Sequence, residues 1–428
     1  MSPRAKRGRP RRALYLKDEP TRDQSAVEAE LEPLALGLVI ETLDRARALH
    51  DLSAALTATF REHRPAQRVR ARIAELAREC VRLERALGPT PSIPELVRVV
   101  ATTDVRAEVA HAAEALPANV AVERLGSLPP WLAQKLVDEL GERSARALAA
   151  ALSAKPPVAI RANRLLGSRE ELARALVAEG FQTIPSTIAP DGLRVLGDRD
   201  LLLSKSFREG AFEIQDEASQ LVAELVATPP GGTVLDVCAG AGGKSLHLAS
   251  LLRGRGRVVA TDIARARIEE LKRRARRARF SNVRAEIVDD ACWPEWIATM
   301  PKDRVLVDAP CSGTGVLRRK PEIRWSLDRA SLHRLREEQK RILDHATTLV
   351  PEGGRLVYAT CSILPEENDR LIDHFLTTHS EFQEVSAKEI LGKRRATELG
   401  DGTRLRTRPD LHDTDGFFAA ILRRRRPP

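Results

Sequence analysis

The sequence predicts a doubly wound α/β domain in its C-terminal half and a mostly helical region before it. After residue 230, short apolar runs alternate with helical segments, which is typical of a parallel sheet with helices on both faces. From about residue 30 to 115, apolar residues recur at helical spacing instead. The length of 428 residues leaves room for two or three domains.

Five apolar runs predict the strands of the sheet, and they span residues 233–238, 257–262, 284–289, 304–309 and 355–360. The intervening helices are predicted to begin near Lys244, Ile263, Ser331 and Glu366. Ligands of such sheets bind outside the carboxyl ends of the strands, where the strand order reverses. The residues that follow each strand are therefore the candidates for chemistry.

One long amphipathic helix stands out in the N-terminal region. Its apolar stripe consists of Val69, Ile73, Leu76, Cys80, Leu83 and Leu87. This spacing predicts a helix with one buried face, and it makes Cys80 a small core residue. A further helical stretch is predicted from Trp131 to about Ala154, whereas residues 1–25 are predicted to be disordered.

Positive charge is concentrated in three runs of the chain, whose formal net charge is +10. Residues 1–12 and 272–279 hold six Lys or Arg each, and Arg423–Arg426 lie close to the C-terminus. A single run is as well explained by a solvated helix face or a tail. Together the three runs favour a polyanionic partner, with nucleic acid preferred over a membrane.

Five cysteines, with no CxxC spacing, argue against a disulfide framework or a zinc site. No stretch approaches the roughly 18 apolar residues of a membrane helix, and the basic start is not followed by a signal core. We therefore expect a cytoplasmic protein with free thiols and no metal, not bound to a membrane, and most simply a monomer.

A glycine-rich loop follows the first predicted strand and leads into a helix. A P-loop requires glycine where this chain has Cys238, and a dinucleotide fingerprint requires glycine where it has Ser245. The remaining interpretation is a nucleoside-sulfonium site that wraps the methionine end of its ligand. Asp262 ends the second strand, 20 residues after Gly242, where a carboxylate can accept both ribose hydroxyls. Asp289 and Asp290 end the third strand and suit the adenosine; capping of a helix is the alternative for each acid.

Two cysteines directly follow strands four and five, in DAPCSGTG at Cys311 and in ATCS at Cys361. These strands are usually neighbours, so both thiols are expected at one edge of the sheet, beside the ligand cleft. Cys238 and Cys292 lack such positions and are interpreted as structural. A thiol pair with the carboxylate of Asp308 suits methylation of cytosine at carbon 5, because a thiolate adding to carbon 6 activates carbon 5. Lys244 supplies positive charge that raises the thiolate fraction.

The chain resembles the RsmB/Sun/Nop2 family of RNA 5-cytosine methyltransferases, most closely its bacterial RsmB branch. The strings that carry the resemblance are DVCAGAGGKS, VLVDAPCSGTGVLRRKPEIRW, RLVYATCSILPEEN and DGFFAAILRR, with SLPPWLAQKL and IRANRL upstream. They cover about residues 120–428. The resemblance implies a Rossmann-like domain that binds S-adenosyl-L-methionine and acts on RNA, with small-subunit ribosomal RNA favoured and transfer RNA left open.

The resemblance also implies individual roles. Cys361 is the nucleophile, Cys311 assists product release, and Asp308 contacts the target ring near the cofactor. Asp262 binds the ribose, and Asp290 is preferred over Asp289 for the third acidic position. The cofactor loop comprises Cys238, Ala239, Gly240, Ala241, Gly242, Gly243 and Lys244. This loop departs from the commoner CAAPGGK at Gly240 and Ala241. The departure is expected to affect the affinity for the cofactor and not the chemistry.

Four domains are predicted from the pattern and the resemblance together. They are a basic disordered tail over 1–25, an all-helical NusB-like RNA-binding domain over 26–118, a connecting α/β subdomain over 119–225, and the methyltransferase domain over 226–428. Arg318, Arg319, Lys320 and Arg324 are predicted to contact RNA phosphates. A non-catalytic RNA-binding assembly factor and a small-molecule methyltransferase are the rival functions. Retention of Cys311, Cys361 and Asp308 argues against the first, and the basic runs argue against the second.

Overall fold

The computed structural model describes residues 24–88, 91–197, 199–289 and 293–426, with the backbone alone for residues 24–32 and 68. The described chain forms two compact units. The first contains residues up to 142 together with 320–326, and the second contains residues 143–319 and 327 onwards. Most of the predicted tail lies outside the described residues, and the four predicted domain boundaries stay predictions.

The first unit is helical. Its helices are α1 (Gln24–Leu49), α2 (Leu52–His63), α3 (Gln67–Leu83), α4 (Ile93–Thr102), α5 (Val105–Ala113), α6 (Ala118–Gly126) and α7 (Pro130–Leu140). Side-chain caps start several of them, as where Asp51 accepts a hydrogen bond from the Ala54 N–H at α2. The predicted stripe of α3 is buried from Val69 to Leu83, and burial raises the pKa of Cys80 to about 12.

The second unit begins with a small α/β layer. Its elements are α8 (Glu142–Ser153), β1 (Val158–Ala162), α9 (Arg169–Ala178), β2 (Gln182–Pro185), β3 (Gly192–Leu196), α10 (Lys205–Arg208) and β4 (Phe212–Ile214). The strands form an antiparallel sheet in the order β2-β3-β1-β4. The helix predicted from Trp131 to Ala154 is interrupted at Gly141, whose φ of +74° no helix contains.

The larger part of the second unit alternates strands and helices. Its elements are α11 (Glu217–Val226), β5 (Thr233–Asp236), α12 (Gly243–Leu252), β6 (Arg257–Asp262), α13 (Arg265–Arg277), β7 (Val283–Ile287), α14 (Glu295–Thr299), β8 (Arg304–Asp308), α15 (Arg329–Thr347), β9 (Arg355–Thr360), α16 (Asp369–Thr378), β10 (Phe382–Val385), α17 (Lys388–Leu391), α18 (Lys393–Glu398), β11 (Leu405–Thr407), α19 (Pro409–His412) and β12 (Phe417–Arg424). The sheet runs β10-β12-β9-β8-β5-β6-β7, and β11 pairs with β12.

The five predicted strands are confirmed as β5 to β9, all parallel to one another. Strand order reverses between β5 and β8, which is where a doubly wound sheet binds its ligand. Alternate residues of each strand enter two different cores. In β9, for example, Val357 packs with the α11–α12 side and Tyr358 with the α15–α16 side. The antiparallel strands β10, β11 and β12 complete the sheet.

Candidate active site

Two thiols meet at the carboxyl edge of the sheet. Cys311 lies three residues after β8, and Cys361 follows β9 directly. Because β8 and β9 are parallel neighbours, their following loops lie side by side. The two Sγ atoms are 3.3 Å apart, and both residues are partly exposed. The expectation that both thiols share one edge of the sheet agrees with these positions.

An ion pair lies in the same neighbourhood. Lys244, in the first turn of α12, donates to the Asp308 carboxylate over 2.6 Å. Its ammonium group also lies 4.9 Å from the centre of the Phe417 ring. Burial lowers the pKa of Lys244, but Asp308 and, more weakly, Cys361 raise it, and the net pKa is raised. The lysine therefore stays charged, within electrostatic range of Cys361.

The two thiols differ in their surroundings. The hydrogen bond with Cys361, followed by burial, raises the pKa of Cys311 well above its ordinary value. Cys311 therefore holds its proton at neutral pH. A neighbour that keeps its proton can donate a hydrogen bond to a thiolate, so the pair is arranged for one thiolate and one thiol.

The glycine-rich loop after β5 has the shape that a bound ligand needs. Gly240 and Gly242 have φ values of +55° and +87°, which other residues rarely adopt. A Cβ atom on Gly242 would lie 2.5 Å from Leu271, whereas one on Gly240 would meet open space. The loop therefore packs on α13 at Gly242 and leaves open space beside Gly240.

Asp262, at the end of β6, orders this loop. Its Oδ2 accepts the Gly240 N–H over 2.9 Å, and its Oδ1 accepts the Ala264 N–H over 2.8 Å, just before α13. The second bond closes a local turn before the helix and is not a helix cap, because Ala264 is the N-cap residue of α13 and no side chain caps that helix. A carboxylate has further lone pairs for a ribose. Asp289 is exposed, while Asp290 and Cys292 lie outside the described residues.

Two carboxylates close to the glycine-rich loop and to the loops of the two cysteines were not identified in the sequence analysis. Asp236 ends β5 and is fully buried, accepting from the Ser245 hydroxyl. Burial raises its pKa to about 7. Glu367 is also fully buried and accepts from the loops that follow both cysteines. Its place in the ATCSILPEEN string, six residues after Cys361, was the signal available in the sequence.

The prediction that Arg318 and Arg324 contact RNA phosphates is wrong, and for Arg319, which is partly exposed but ion-paired, it stays a prediction. Arg318 is buried and pairs with Asp413 and Asp415. Arg319 pairs with Asp216 and Asp415. Arg324 is buried within the first unit, where it donates to the Gly126 carbonyl, and burial lowers its pKa to about 9. Lys320 is exposed, and for this residue the predicted contact with RNA phosphates stays a prediction.

The basic run of α13 is also largely engaged. Lys272 and Arg273 pair with Glu269 and Glu270, one turn earlier. Arg274 and Arg277 both pair with Glu213, whose side chain is buried. The exposed cations Arg276 and Arg279 remain candidates for phosphate contacts.

Two further expectations concern metals and membranes. Among the described residues, Glu41, Glu62 and His63 form a partly exposed group with the spacing of metal ligands, and exposed acidic groups are common without an ion. The expectation that the protein holds no metal stays a prediction. No helix of the described residues is long and apolar enough to cross a membrane.

Comparison with known proteins assigns the fold. The model of the 16S rRNA methyltransferase RsmB/F family matches residues 223–423, and that of the RsmF/B-like ferredoxin-like domain matches residues 128–201. A probable ribosomal RNA small subunit methyltransferase B of Bacillus subtilis (strain 168) is 34% identical over 70% of this chain and 67% of its own length.

Solved structures agree with these matches. The crystal structure of PH0851 superposes with a TM-score of 0.75 at 26% identity, covering 91% of this chain and 98% of that one. A methyltransferase homolog from Pyrococcus horikoshii has a TM-score of 0.61 at 27% identity, covering 72% of this chain and 99% of that one. The chain therefore belongs to the RsmB/Sun/Nop2 family of methyltransferases, which use S-adenosyl-L-methionine.

Proposed function

We propose that the protein methylates carbon 5 of a cytosine in RNA, with small-subunit ribosomal RNA as the substrate, acting as a monomer in the cytoplasm. The names of its relatives support the class of substrate. The observation that carries the chemistry is the thiol pair, 3.3 Å apart, beside the Lys244–Asp308 ion pair. A methyltransferase acting on an already nucleophilic atom needs no such pair.

Carbon 5 of cytosine is too weak a nucleophile to take a methyl group unaided. When Cys361 Sγ bonds to carbon 6, the ring becomes an enamine whose carbon 5 is nucleophilic. S-adenosyl-L-methionine, when bound, supplies an electrophilic methyl group. A base must then remove the proton of carbon 5, so that the ring regains its double bond and the Cys361 thiolate leaves.

The environments of the two thiols support Cys361 as nucleophile. Cys311 has a raised pKa because of its hydrogen bond with Cys361 and its burial, so it is poorly suited to attack. Lys244 stays charged within electrostatic range of Cys361, and positive charge favours a thiolate. Cys311, which keeps its proton 3.3 Å from Cys361 Sγ, can donate a hydrogen bond to the departing Cys361 thiolate and so assist elimination.

The position of Asp308 supports a role in holding the target ring. Lys244 donates to its Oδ2, which fixes the carboxyl group at the end of β8. The Asp308 side chain is 28% exposed, so a cytosine ring of the RNA can reach it. We assign its other oxygen to the exocyclic amine of the cytosine, from which a carboxylate accepts a hydrogen bond, so that Asp308 orients the ring for attack by Cys361.

Substitution of each cysteine tests the chemistry. Cys361→Ala removes the nucleophile, so we expect neither methylation nor a covalent adduct with RNA. Cys311→Ala still permits attack and methyl transfer but slows elimination. It should accumulate an enzyme–RNA adduct that survives denaturing gel electrophoresis when the methyl donor is present. An adduct in Cys361→Ala and none in Cys311→Ala would reverse the two roles.

Bisulfite sequencing tests the substrate. In RNA from a strain lacking the protein, we expect one cytosine of 16S ribosomal RNA to lose protection from deamination, because 5-methylcytosine resists bisulfite. Expression of the intact protein should restore that protection, and Cys361→Ala should not. Loss confined to transfer RNA would contradict the ribosomal substrate while leaving the chemistry intact.

A further inference from the structure

We propose that Glu367 is the positioning residue that holds the two thiols at their working separation. It lies in the segment between β9 and α16, and its side chain is fully buried. It contacts the loops on which both cysteines lie, through the residues that immediately follow them. The inference deepens the proposed function, because it concerns the same thiol pair.

Four donors surround the Glu367 carboxylate. Its Oε1 accepts from the Ser312 backbone N–H over 2.7 Å and from the Gln339 amide over 2.9 Å. Its Oε2 accepts from the Ser312 and Ser362 hydroxyls. An ionised carboxylate offers about four lone-pair sites and donates nothing, so these donors use its full capacity. Hydrogen bonds to a charged acceptor are also about twice as strong as neutral ones.

These bonds connect the loops next to the reacting atoms. Ser312 directly follows Cys311, and Ser362 directly follows Cys361, so one side chain restrains both cysteines from the adjoining peptide. The segment carrying Glu367 is itself anchored, because the Tyr358 hydroxyl donates to the Glu367 carbonyl and the Asn368 amide donates to the Ser362 carbonyl. The parallel pairing of β8 and β9 brings the two loops near each other. The hydrogen bonds to Glu367 then fix the positions of Ser312 and Ser362, next to the two cysteines.

A glutamine side chain can replace part of the hydrogen bonding of Glu367. In Glu367→Gln, the amide oxygen can accept from the two N–H donors, and the amide NH₂ can donate to the two serine hydroxyls once they rotate. Glu367→Ala removes both acceptor oxygens and leaves the buried donors without partners, which is unfavourable. A positioning role therefore predicts a graded series, from the intact protein through the glutamine to the alanine variant.

Chemical cross-linking of the thiols measures their separation without any catalytic turnover. Diamide converts two adjacent thiols into a disulfide: the S–S bond forms, both S–H bonds break, and the two electrons and two protons reduce the diamide N=N bond. We expect the intact chain to form a Cys311–Cys361 disulfide, identified by mass spectrometry of its peptides. The rate should fall a few-fold in Glu367→Gln and tenfold or more in Glu367→Ala.

Methylation kinetics should follow the same order. Because Glu367 does not touch the cofactor loop, we expect kcat to fall tenfold or more in Glu367→Ala while KM for S-adenosyl-L-methionine stays within twofold. The matched control is Glu366→Ala, which removes the neighbouring carboxylate; its bond is to Arg370. This control should cross-link at the rate of the intact chain.

The cross-linking rates decide the proposal whatever RNA the protein methylates. A folded Glu367→Ala that cross-links as fast as the intact chain would overturn it, and so would an intact chain that forms no Cys311–Cys361 disulfide. If Glu367→Ala does not fold, Ser362→Ala takes its place, since it removes one donor from the carboxylate. A several-fold slower disulfide in Ser362→Ala supports the proposal, and an unchanged rate contradicts it.

Discussion

Ionisable side chains within one small neighbourhood hold different charges because their immediate partners differ. Lys244 stays a cation although burial disfavours it, because the Asp308 carboxylate is 2.6 Å away. Asp236, buried close by, has only the Ser245 hydroxyl for one oxygen and nothing for Oδ1. Its pKa is raised to about 7, primarily by burial. The charge of each group follows from what it touches and not from its residue type.

The raised pKa of Asp236 should make the stability of the intact protein depend on pH, and Asp236→Asn should remove that dependence. An unfolded aspartate has a pKa of about 3.9, so the folded chain holds a proton that the unfolded chain releases between about pH 4 and 7. The free energy of unfolding of the intact protein therefore falls as the pH rises through this window and levels off above it. Asparagine does not ionise and still accepts from Ser245.

The difference in unfolding free energy between Asp236→Asn and the intact protein should therefore shift in favour of the variant from pH 4 to 7. About 1.4 kcal/mol per pKa unit sets an upper limit on the order of 4 kcal/mol. Urea unfolding at pH 5, 6, 7 and 8 measures this difference. A difference that does not vary with pH would show that Asp236 is ionised in the folded chain.

Single residues were predictable where the position in the chain determines the position in space. Cys311 and Cys361 were expected together because both follow neighbouring parallel strands. The partners of Arg318 were not predictable, since Asp413 and Asp415 lie about 95 residues further along the chain. A run of arginines looks the same in sequence whether it faces solvent or a buried carboxylate.

At the scale of elements, a close approach of two glycines joins the Cys311 loop to the start of β12. The Gly416 N–H donates to the Gly315 carbonyl, and the Gly315 N–H donates to the Cys361 carbonyl, each over 2.9 Å. A Cβ atom on Gly315 would lie 2.0 Å from the Gly416 carbonyl oxygen. Backbone atoms cannot withdraw as a flexible side chain can, so only glycine fits.

Gly315→Ala should therefore destabilise the protein by about 1–3 kcal/mol, the usual effect of forcing atoms into a packed site. Methylation should also decline, because the displaced loop carries Cys311. Gly37→Ala is the matched control: Gly37 lies exposed in α1 with open space at its Cβ. There alanine should stabilise the helix by about 0.5–1 kcal/mol. Thermal melts measure both; equal shifts in the two variants would contradict the packing argument.

The sequence predicted elements in proportion to the strength of their pattern. Strands β5, β6, β8 and β9 are largely buried, so each is a mostly apolar run bounded by turn residues, whereas β7 is half-buried and carries Arg284 and Glu286. The small sheet was not resolved into strands, because β4 spans Phe212–Ile214 and β2 spans Gln182–Pro185, too short to show alternation. Strand β12 was recognised only as part of a motif, since its antiparallel pairing depends on residues far along the chain.

For the whole molecule, the cofactor should link binding to stability. The predicted cofactor site draws on three different strand ends of one sheet: the loop 238–244 after β5, Asp262 at the end of β6, and Asp308 at the end of β8. A ligand that contacts all three is bound only by the folded chain, and at 100 times its dissociation constant it stabilises that state by about 2.7 kcal/mol.

The melting temperature should accordingly rise when S-adenosyl-L-methionine or its demethylated product is added, and not when ATP or NAD is added. Asp262→Ala should weaken the shift, since it removes the acceptor of the Gly240 N–H and of the expected ribose contact. Glu398→Ala, which removes an exposed carboxylate far from the loop in sequence, is the control. Stabilisation by ATP alone would contradict the cofactor site.

The helical unit has a further property, which concerns the order of synthesis. Trp325 packs against its apolar core, and the indole N–H donates to Glu84 over 2.8 Å. Residues 320–326 thus complete a unit whose N-terminal segment ends at residue 142. At roughly 5–20 residues per second, a ribosome needs about 10–40 s to add the intervening chain. During that time the core of the helical unit lacks the Trp325 side chain that packs against it in the folded protein.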